Sequence, residues 1–253
     1  MNIDLSGRTA LVTGGSRGIG RAIALALAEA GADVAVNYRG NAEAAAEVVG
    51  AIEGMGRRAK AYAASVENFD EDEAMVAAVL ADFGAIDILV NNAGIASRGN
   101  SVADTDPAEM ERVVAVHAFG PHYLCKLVIP QMRARGRGDI IMISSVATLG
   151  MAGRGGPYNM GKAAMEALAL TIAKEERANG IRCNIVAPSL TVTEMGSRLA
   201  KATRGIADIH ELDAASPFGR VSTPQDVASA VTWLVSSANP YANGQKININ
   251  GGG

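Results

Sequence analysis

Short runs of β-branched and other apolar residues recur along the chain, separated by longer alanine-rich stretches whose apolar positions repeat at helical spacing. The strand-like runs are Thr9 to Thr13, Asp33 to Tyr38, Ala59 to Ala64, Ile86 to Asn91, Asp139 to Ser144, Ile181 to Ala187 and Lys246 to Asn250. Helical periodicity covers Gly18 to Ala30, Ala42 to Glu53, Asp70 to Phe83, Pro107 to Arg135, Tyr158 to Asn179 and Pro224 to Ser237. Runs such as Ile140 to Ile143 and Ile86 to Val90 are apolar without a break, as parallel strands covered on both faces must be. The pattern predicts an α/β protein: a doubly wound parallel sheet of about seven strands, helices on both faces, in one domain over residues 1–253. One stretch, Leu190 to Arg220, fits neither period. It mixes Met195, Leu199 and Ile206 with Arg198, Lys201, Arg204, Asp208 and Glu211, and it follows a strand end where open α/β sheets bind ligands. It reads as a mobile substrate lid; the alternative is a surface excursion without a role.

Composition narrows the class. The 253 residues are 49% hydrophobic and 19% charged, as in ordinary globular proteins, and carry no internal repeat. A net charge of -3 provides no basic field to draw nucleic acid or an anionic membrane. No apolar run approaches the ~18 residues of a membrane span, and Met1 to Arg8 contains no signal core, so a cytoplasmic location is expected. Cys125 and Cys183 lack paired ligand spacing and read as reduced, buried small hydrophobes. Neither His122 nor His210 has a second ligand at helical or loop spacing, so no metal is expected.

Two motifs carry chemistry. The first strand runs into Gly14-Gly15-Ser16-Arg17-Gly18-Ile19-Gly20 and then directly into a helix. Glycines there permit a tight turn and close approach of backbone to a pyrophosphate, while the helix N-terminus offers unpaired amides and partial positive charge. The second strand ends in Asn37-Tyr38-Arg39, with no acidic side chain to hold a ribose 2'-hydroxyl. Arg39 with Arg17 suits a 2'-phosphate, which favours NADP(H) over NAD(H) without excluding the latter. The second motif is Ser145 with Tyr158 and Lys162. Tyrosine and lysine four residues apart share a helix face, so the ammonium is placed to lower the phenol's ordinary value of ~10, and Ser145 at a strand end can hydrogen-bond a substrate oxygen.

These residues together resemble the short-chain dehydrogenase/reductase family, over essentially the whole chain, and within it the 3-oxoacyl-carrier-protein reductases. The matching elements are Thr13 to Gly20, Asn91-Asn92-Ala93-Gly94, Ser145 with Tyr158-x3-Lys162, the Pro188 turn, and Gly244-Gln245 to Gly251-Gly252. The resemblance implies a Rossmann-like fold and hydride transfer between a nicotinamide and a carbonyl or secondary alcohol. Tyr158 would be general acid or base; Lys162 would hold the nicotinamide ribose and lower the tyrosine pKa; Ser145 would polarise the carbonyl. Cofactor contacts would come from Gly14, Ser16, Arg17, Gly18, Ile19 and Gly20, from Asn37, Tyr38 and Arg39, and from Ser65 and Val66 at the adenine. Asn91, Asn92, Ala93 and Gly94 would lie along the cofactor, with Pro188, Ser189, Thr191 and Thr193 covering the carboxamide.

Four positions depart from the family pattern. His117 stands where an asparagine usually holds a water, and it could hold that water as a neutral imidazole, relay protons itself, or only pack. Ser65 replaces a frequent aspartate, Ser189 a glycine, and Thr191 an aliphatic residue. The basic residues Arg133, Arg135, Arg137 and Arg177 are candidates for docking an acidic carrier, but Gly136 and Asn179 occupy the positions where arginine would be expected. A solvated helix end is the favoured reading there, and a small ketone, aldehyde or alcohol is as good a substrate as an acyl chain. The apolar helices around Pro107 to Arg135 and Tyr158 to Asn179 need cover, which in the family comes from a homotetramer. The rival to an oxidoreductase is a nucleotide-binding sensor or structural subunit whose catalysis is impaired by His117.

Overall fold

A computed structural model describes residues 3–252; Met1, Asn2 and Gly253, the outer bounds of the expected domain and the start of the stretch read for a signal core, lie outside them. Seven parallel strands form one sheet in the order β3-β2-β1-β4-β5-β6-β7. They are β1 Thr9–Val12, β2 Asp33–Tyr38, β3 Ala59–Ala63, β4 Ile88–Asn91, β5 Gly138–Ile143, β6 Ile181–Pro188 and β7 Lys246–Ile249. The helices are α1 Gly18–Glu29, α2 Ala42–Gly54, α3 Phe69–Phe83, α4 Pro107–Val114, α5 Gly120–Arg135, α6 Ala147–Gly150, α7 Gly156–Glu175, α8 Glu194–Arg204 and α9 Pro224–Val235.

Side chains alternate across the sheet and build two cores. Ala10, Val12, Val34, Val36, Ile88, Val90, Ile141 and Ile143 meet α1, α2 and α9 through Ile23, Leu27, Val48, Ile52, Val231 and Leu234. Leu11, Ala35, Leu89, Ile140, Met142 and Ile185 meet α3, α5 and α7 through Val76, Val79, Leu124, Val128, Met165 and Ile172. The strand order reverses between β1 and β4. Their carboxyl ends therefore open the crevice into which both sequence motifs project.

The expected elements are all present, with local corrections. Ile86 is not in β4: its N–H and C=O are taken by the Gln131 side chain, which leaves nothing for a ladder. The single helix expected over Pro107 to Arg135 is two, α4 and α5, joined by a π-helical turn at Ala115–Phe119 that carries His117. This run is the one described stretch long and apolar enough to cross a bilayer, but it is a core element, with Leu124, Val128 and Met132 fully buried. Helix α7 begins two residues before Tyr158, because Pro157 suits a first turn. It stops at Glu175 and gives way to a 3-10 turn, Arg177–Asn179, ended by left-handed Gly180.

The largest correction concerns Leu190 to Arg220. It contains α8, capped by the Thr193 hydroxyl, and a 3-10 segment at Ile209–Ala215. Ala200, Ile209, Leu212 and Val221 form a small core of their own beneath it. The large apolar residues of α8, Met195 and Leu199, one turn apart, stay exposed, while the buried positions are Gly196 and Ala200, so the sequence pattern does not mark the packed face.

Candidate active site

The loop after β1 is shaped by backbone that favours glycine. Gly14 and Gly18 have φ of +59° and +55°, and a Cβ on Gly20 would stand 2.2 Å from the Gly14 carbonyl oxygen. Two side chains brace the turn from below. Asn37 Oδ1 accepts from the Gly14 N–H at 3.1 Å while its amide donates to Ala64 O, and Asn92 Nδ2 donates to Thr13 O at 2.8 Å. Asn37 is thus buried and turned to the loop rather than to the crevice. Thr13, absent from the expected site residues, ties the two strand ends together: its Oγ1 accepts from the N–H groups of Asn92 and Ala93 at 2.9 and 3.0 Å.

Helix α1 opens with Arg17 in extended conformation and no side-chain cap, so its first amides are available to an anion. Such a glycine cradle, closed to a Cβ at Gly20 and ending on an uncapped helix, fits a dinucleotide pyrophosphate. Around it, Arg17 pairs with Glu194 of α8 at 2.9 Å, and Arg39 lies 3.9 Å from Glu67. Both guanidinium groups are largely exposed. The Ser65 N–H donates to Glu71 at 2.7 Å, beside Val66, which is buried. Ser16, Ile19 and Tyr38 are half-buried along the same crevice.

On the far side, β5 delivers Ser145 and α7 delivers Tyr158 and Lys162. The Ser145 Oγ accepts from the Ala147 N–H at 3.1 Å, and its hydroxyl acts on the Tyr158 phenol as a hydrogen-bonding neighbour. Lys162 is buried; its Nζ donates to Ile143 O at 2.6 Å and lies over the Tyr158 ring, 5.8 Å from the centroid. Burial pushes the Tyr158 phenol above its ordinary value, with the Ser145 hydrogen bond only partly offsetting it. Burial likewise pushes Lys162 down to about 7, opposed by the Glu166 carboxylate. The net shift of the phenol in this structure is upward and set by desolvation, while the amine sits over the ring rather than at the hydroxyl.

His117 is packed edge-to-face against Tyr158, ring centroids 5.2 Å apart, and touches the positions where Gly94 and Gly161 lack a Cβ. Its Nε2 lies 2.7 Å from Ile95 O and 3.3 Å from Ile95 N; the shorter contact, to a carbonyl, needs a donor, so Nε2 carries the proton and Nδ1 a lone pair with no hydrogen-bond partner among the described residues. Burial, then Lys162, push the imidazole down to about 3, so it is neutral across the physiological range. The segment after β6 closes the site. Ser189 N–H donates to Ile249 O, Thr191 is buried with its hydroxyl on Ser189 O, and the Thr193 methyl stands 3.4 Å from where a Gly18 Cβ would be.

A hydroxyl, a phenol and a buried amine meeting beside a dinucleotide cradle, on this strand order, define a lineage. Residues 14–253 match the family model described as Enoyl-(Acyl carrier protein) reductase. A Staphylococcus aureus 3-oxoacyl-[acyl-carrier-protein] reductase is 38% identical over 247 residues, covering 97% of each chain. The chain belongs to the short-chain dehydrogenase/reductase family. A chloroplastic NADPH-dependent aldehyde reductase-like protein of Arabidopsis thaliana is 36% identical over 99% of this chain and 95% of its own. A short-chain type dehydrogenase/reductase from Mycobacterium marinum superposes with a TM-score of 0.89 at 32% identity, covering 98% and 96% of the two chains. This short-chain dehydrogenase/reductase is accordingly an oxidoreductase acting on carbonyl or CH–OH groups with a nicotinamide cofactor.

Three of the four candidates for docking an acidic carrier are engaged within the chain. Arg133 pairs with Glu176, Arg135 with Asp87 at 2.9 Å, and Arg137 with Asp139 at 3.8 Å. Cys125 and Cys183 are free and buried, and no group of three or more metal-ligating side chains occurs among the described residues.

Proposed function

We propose that the protein is an NADP(H)-dependent reductase of a ketone or aldehyde, running reversibly as an alcohol dehydrogenase, with Tyr158 as its proton donor and acceptor. The single observation that carries this reading is the convergence of Ser145, Tyr158 and Lys162 on one side of the glycine cradle. Gly14, Ser16, Gly18, Ile19 and Gly20 would hold the pyrophosphate, and Arg17 and Arg39 a 2'-phosphate. Ser65, Val66, Asn92, Ala93 and Gly94 would line the adenosine and ribose path, and Pro188, Ser189, Thr191 and Thr193 the carboxamide. The bound nicotinamide supplies or accepts the hydride.

Each residue then has one task. Ser145, its lone pair occupied by the Ala147 N–H, donates to the substrate carbonyl oxygen. Tyr158, protonated because it is buried, gives its proton to that oxygen as hydride arrives at carbon, and takes it back in oxidation. Lys162 has N–H bonds beyond the one given to Ile143 O, and these serve the ribose hydroxyls and the tyrosinate that forms. His117 acts as a neutral acceptor: Nδ1 receives a hydrogen bond from a water in the chain that returns the proton, and the imidazole does not itself become charged. Helix α8 and the segment at 190–220 serve as the substrate lid. NADP(H) is favoured over NAD(H) because Arg39 ends β2 where no carboxylate is available for a ribose 2'-hydroxyl.

The substrate reading is a small carbonyl compound rather than a carrier-bound chain, since the arginines at the foot of α5 already satisfy carboxylates of their own chain. We also assign a homotetramer in the cytoplasm. Leu170, Trp233 and Tyr241 are apolar and exposed on α7, on α9 and before β7, and a second copy would cover them. A panel of aldehydes, ketones and secondary alcohols, read at the reduced-nicotinamide absorbance with both cofactors, tests the assignment. Turnover supports it; cofactor binding without turnover of any member of the panel favours the sensor alternative.

A further inference from the structure

Glu166 follows Lys162 by one turn of α7 and so shares its face. Its carboxylate is the meeting point of four elements. Oε1 accepts from Ser144 Oγ at 2.5 Å at the end of β5 and from Thr148 Oγ1 at 2.7 Å on α6. Lys246 Nζ, from β7, lies 2.8 Å from Oε1 and 3.0 Å from Oε2, and donates to Thr148 Oγ1 at 2.6 Å. The glutamate and lysine side chains are only 17% and 22% exposed, so the pair is largely removed from water.

This cluster grips the catalytic serine from both sides. Ser144 immediately precedes Ser145, and Thr148 Oγ1 is also 2.8 Å from Ser145 O. One hydroxyl proton serves only one of the two acceptors near Thr148, and either choice fastens the same turn. Lys162 reaches the cluster through its bond to Ile143 O, on the residue before Ser144. As a stabiliser alone, a desolvated ion pair is a poor device, because apolar residues of equal volume hold elements together at least as well. Here it sits directly behind the reacting groups.

We propose that Glu166, fixed by Lys246, is a positioning residue of the active site: it sets the backbone that presents Ser145 and supplies the counter-charge that keeps Lys162 an ammonium. The charged and titratable groups around Lys162 are Glu166 and Tyr158 on its own helix and His117 from the π-helical turn; Lys246 faces Glu166 from β7. Among the groups acting on Lys162, the Glu166 carboxylate favours the ammonium, while burial disfavours it. The catalytic consequence rests on the oxidoreductase reading; the electrostatic one does not.

The test is a pH titration of the full-length protein labelled with 13C-lysine, the Lys162 resonance being assigned by its loss in Lys162→Met. The wild-type midpoint is expected at about 7. Glu166→Gln, which keeps the shape, should move it down by about one unit, and Lys246→Met, which leaves the carboxylate uncompensated, should move it up. Simple loosening of the fold would not shift the two variants in opposite senses; circular dichroism verifies that both are folded. In turnover, Glu166→Gln should lower kcat and shift its high-pH limb downward, with little change in cofactor KM. Unmoved midpoints, or a shift of both variants in one direction, overturn the inference. Absence of wild-type hydride transfer alongside the stated shifts would instead overturn the enzymatic reading and leave the electrostatic one standing.

Discussion

The Lys162 ammonium lies over the Tyr158 ring, 5.8 Å from its centre, yet gives its hydrogen bond to the Ile143 carbonyl at 2.6 Å. The two residues share a helix face, as four-residue spacing requires, but the amine is anchored to the strand and not to the phenol. Both are driven toward their neutral forms by burial. A neutral phenol is the correct form for an acid, and a poised amine beside it will strengthen as an ally once negative charge develops on the oxygen.

Keeping Lys162 buried costs stability, and the sign follows from its two pKa values. In the unfolded chain it titrates at 10.5 and in the fold at about 7. Between them the unfolded chain binds more protons, so stability rises with pH through that window, and the full cost applies below about 7. Lys162→Met should therefore raise the melting temperature by several degrees at pH 6 and lose that gain by pH 11. Scanning fluorimetry at the two pH values decides it. An equal gain at both would contradict the assignment.

His117 is neutral because burial outweighs its hydrogen bond to Ile95. No limb of the pH profile between 5 and 8 should belong to it. His117→Asn, which restores an acceptor of similar reach, is expected to retain the shape of the kcat/KM profile. Its loss of activity should be smaller than the roughly 100-fold at which general acid–base contributions begin. A limb near pH 6.5 present in the wild type and missing in the variant would make His117 a titrating relay.

Arg39 carries the cofactor preference. Among the described residues its only close carboxylate is Glu67, at 3.9 Å, so a 2'-phosphate has little to displace. Arg39→Ala is expected to raise KM for NADPH roughly 10- to 100-fold, the worth of a hydrogen bond to a charged group, and to leave KM for NADH nearly unchanged. Steady-state kinetics with both cofactors read this directly. Equal effects on the two would remove Arg39 from the site.

Much of the fold was legible because its strands are buried on both faces and its helices are long. All seven strands and the six main helices follow from hydrophobic period, and the glycine cradle from its residue types: Gly14 and Gly18 take the positive φ that favours glycine, and Gly20 has no room for a Cβ. The rest was hidden for identifiable reasons. The π-helical turn at Ala115–Phe119 inserts no unusual residue type into an otherwise continuous helical period. Helix α8 packs through glycine and alanine. Asn37, expected as a cofactor contact from its place at the end of β2, gives its amide to the backbone carbonyls of Tyr62 and Ala64, partners that lie on another strand. Thr13 and Lys246 act through contacts 77 or more residues away in the chain, which no local pattern reveals. Glu166 alone had a usable signal, its four-residue offset from Lys162.

The central claim is that the Tyr158 hydroxyl moves the proton that accompanies hydride transfer. The direct measurement is single-turnover absorbance of NADPH oxidation by a turned-over carbonyl substrate, comparing wild type with Tyr158→Phe, together with cofactor binding by fluorescence. The account predicts a loss of roughly 10²- to 10⁴-fold in the transfer rate with cofactor affinity nearly unchanged. Transfer in the variant at the wild-type rate, with the cofactor bound, would contradict it.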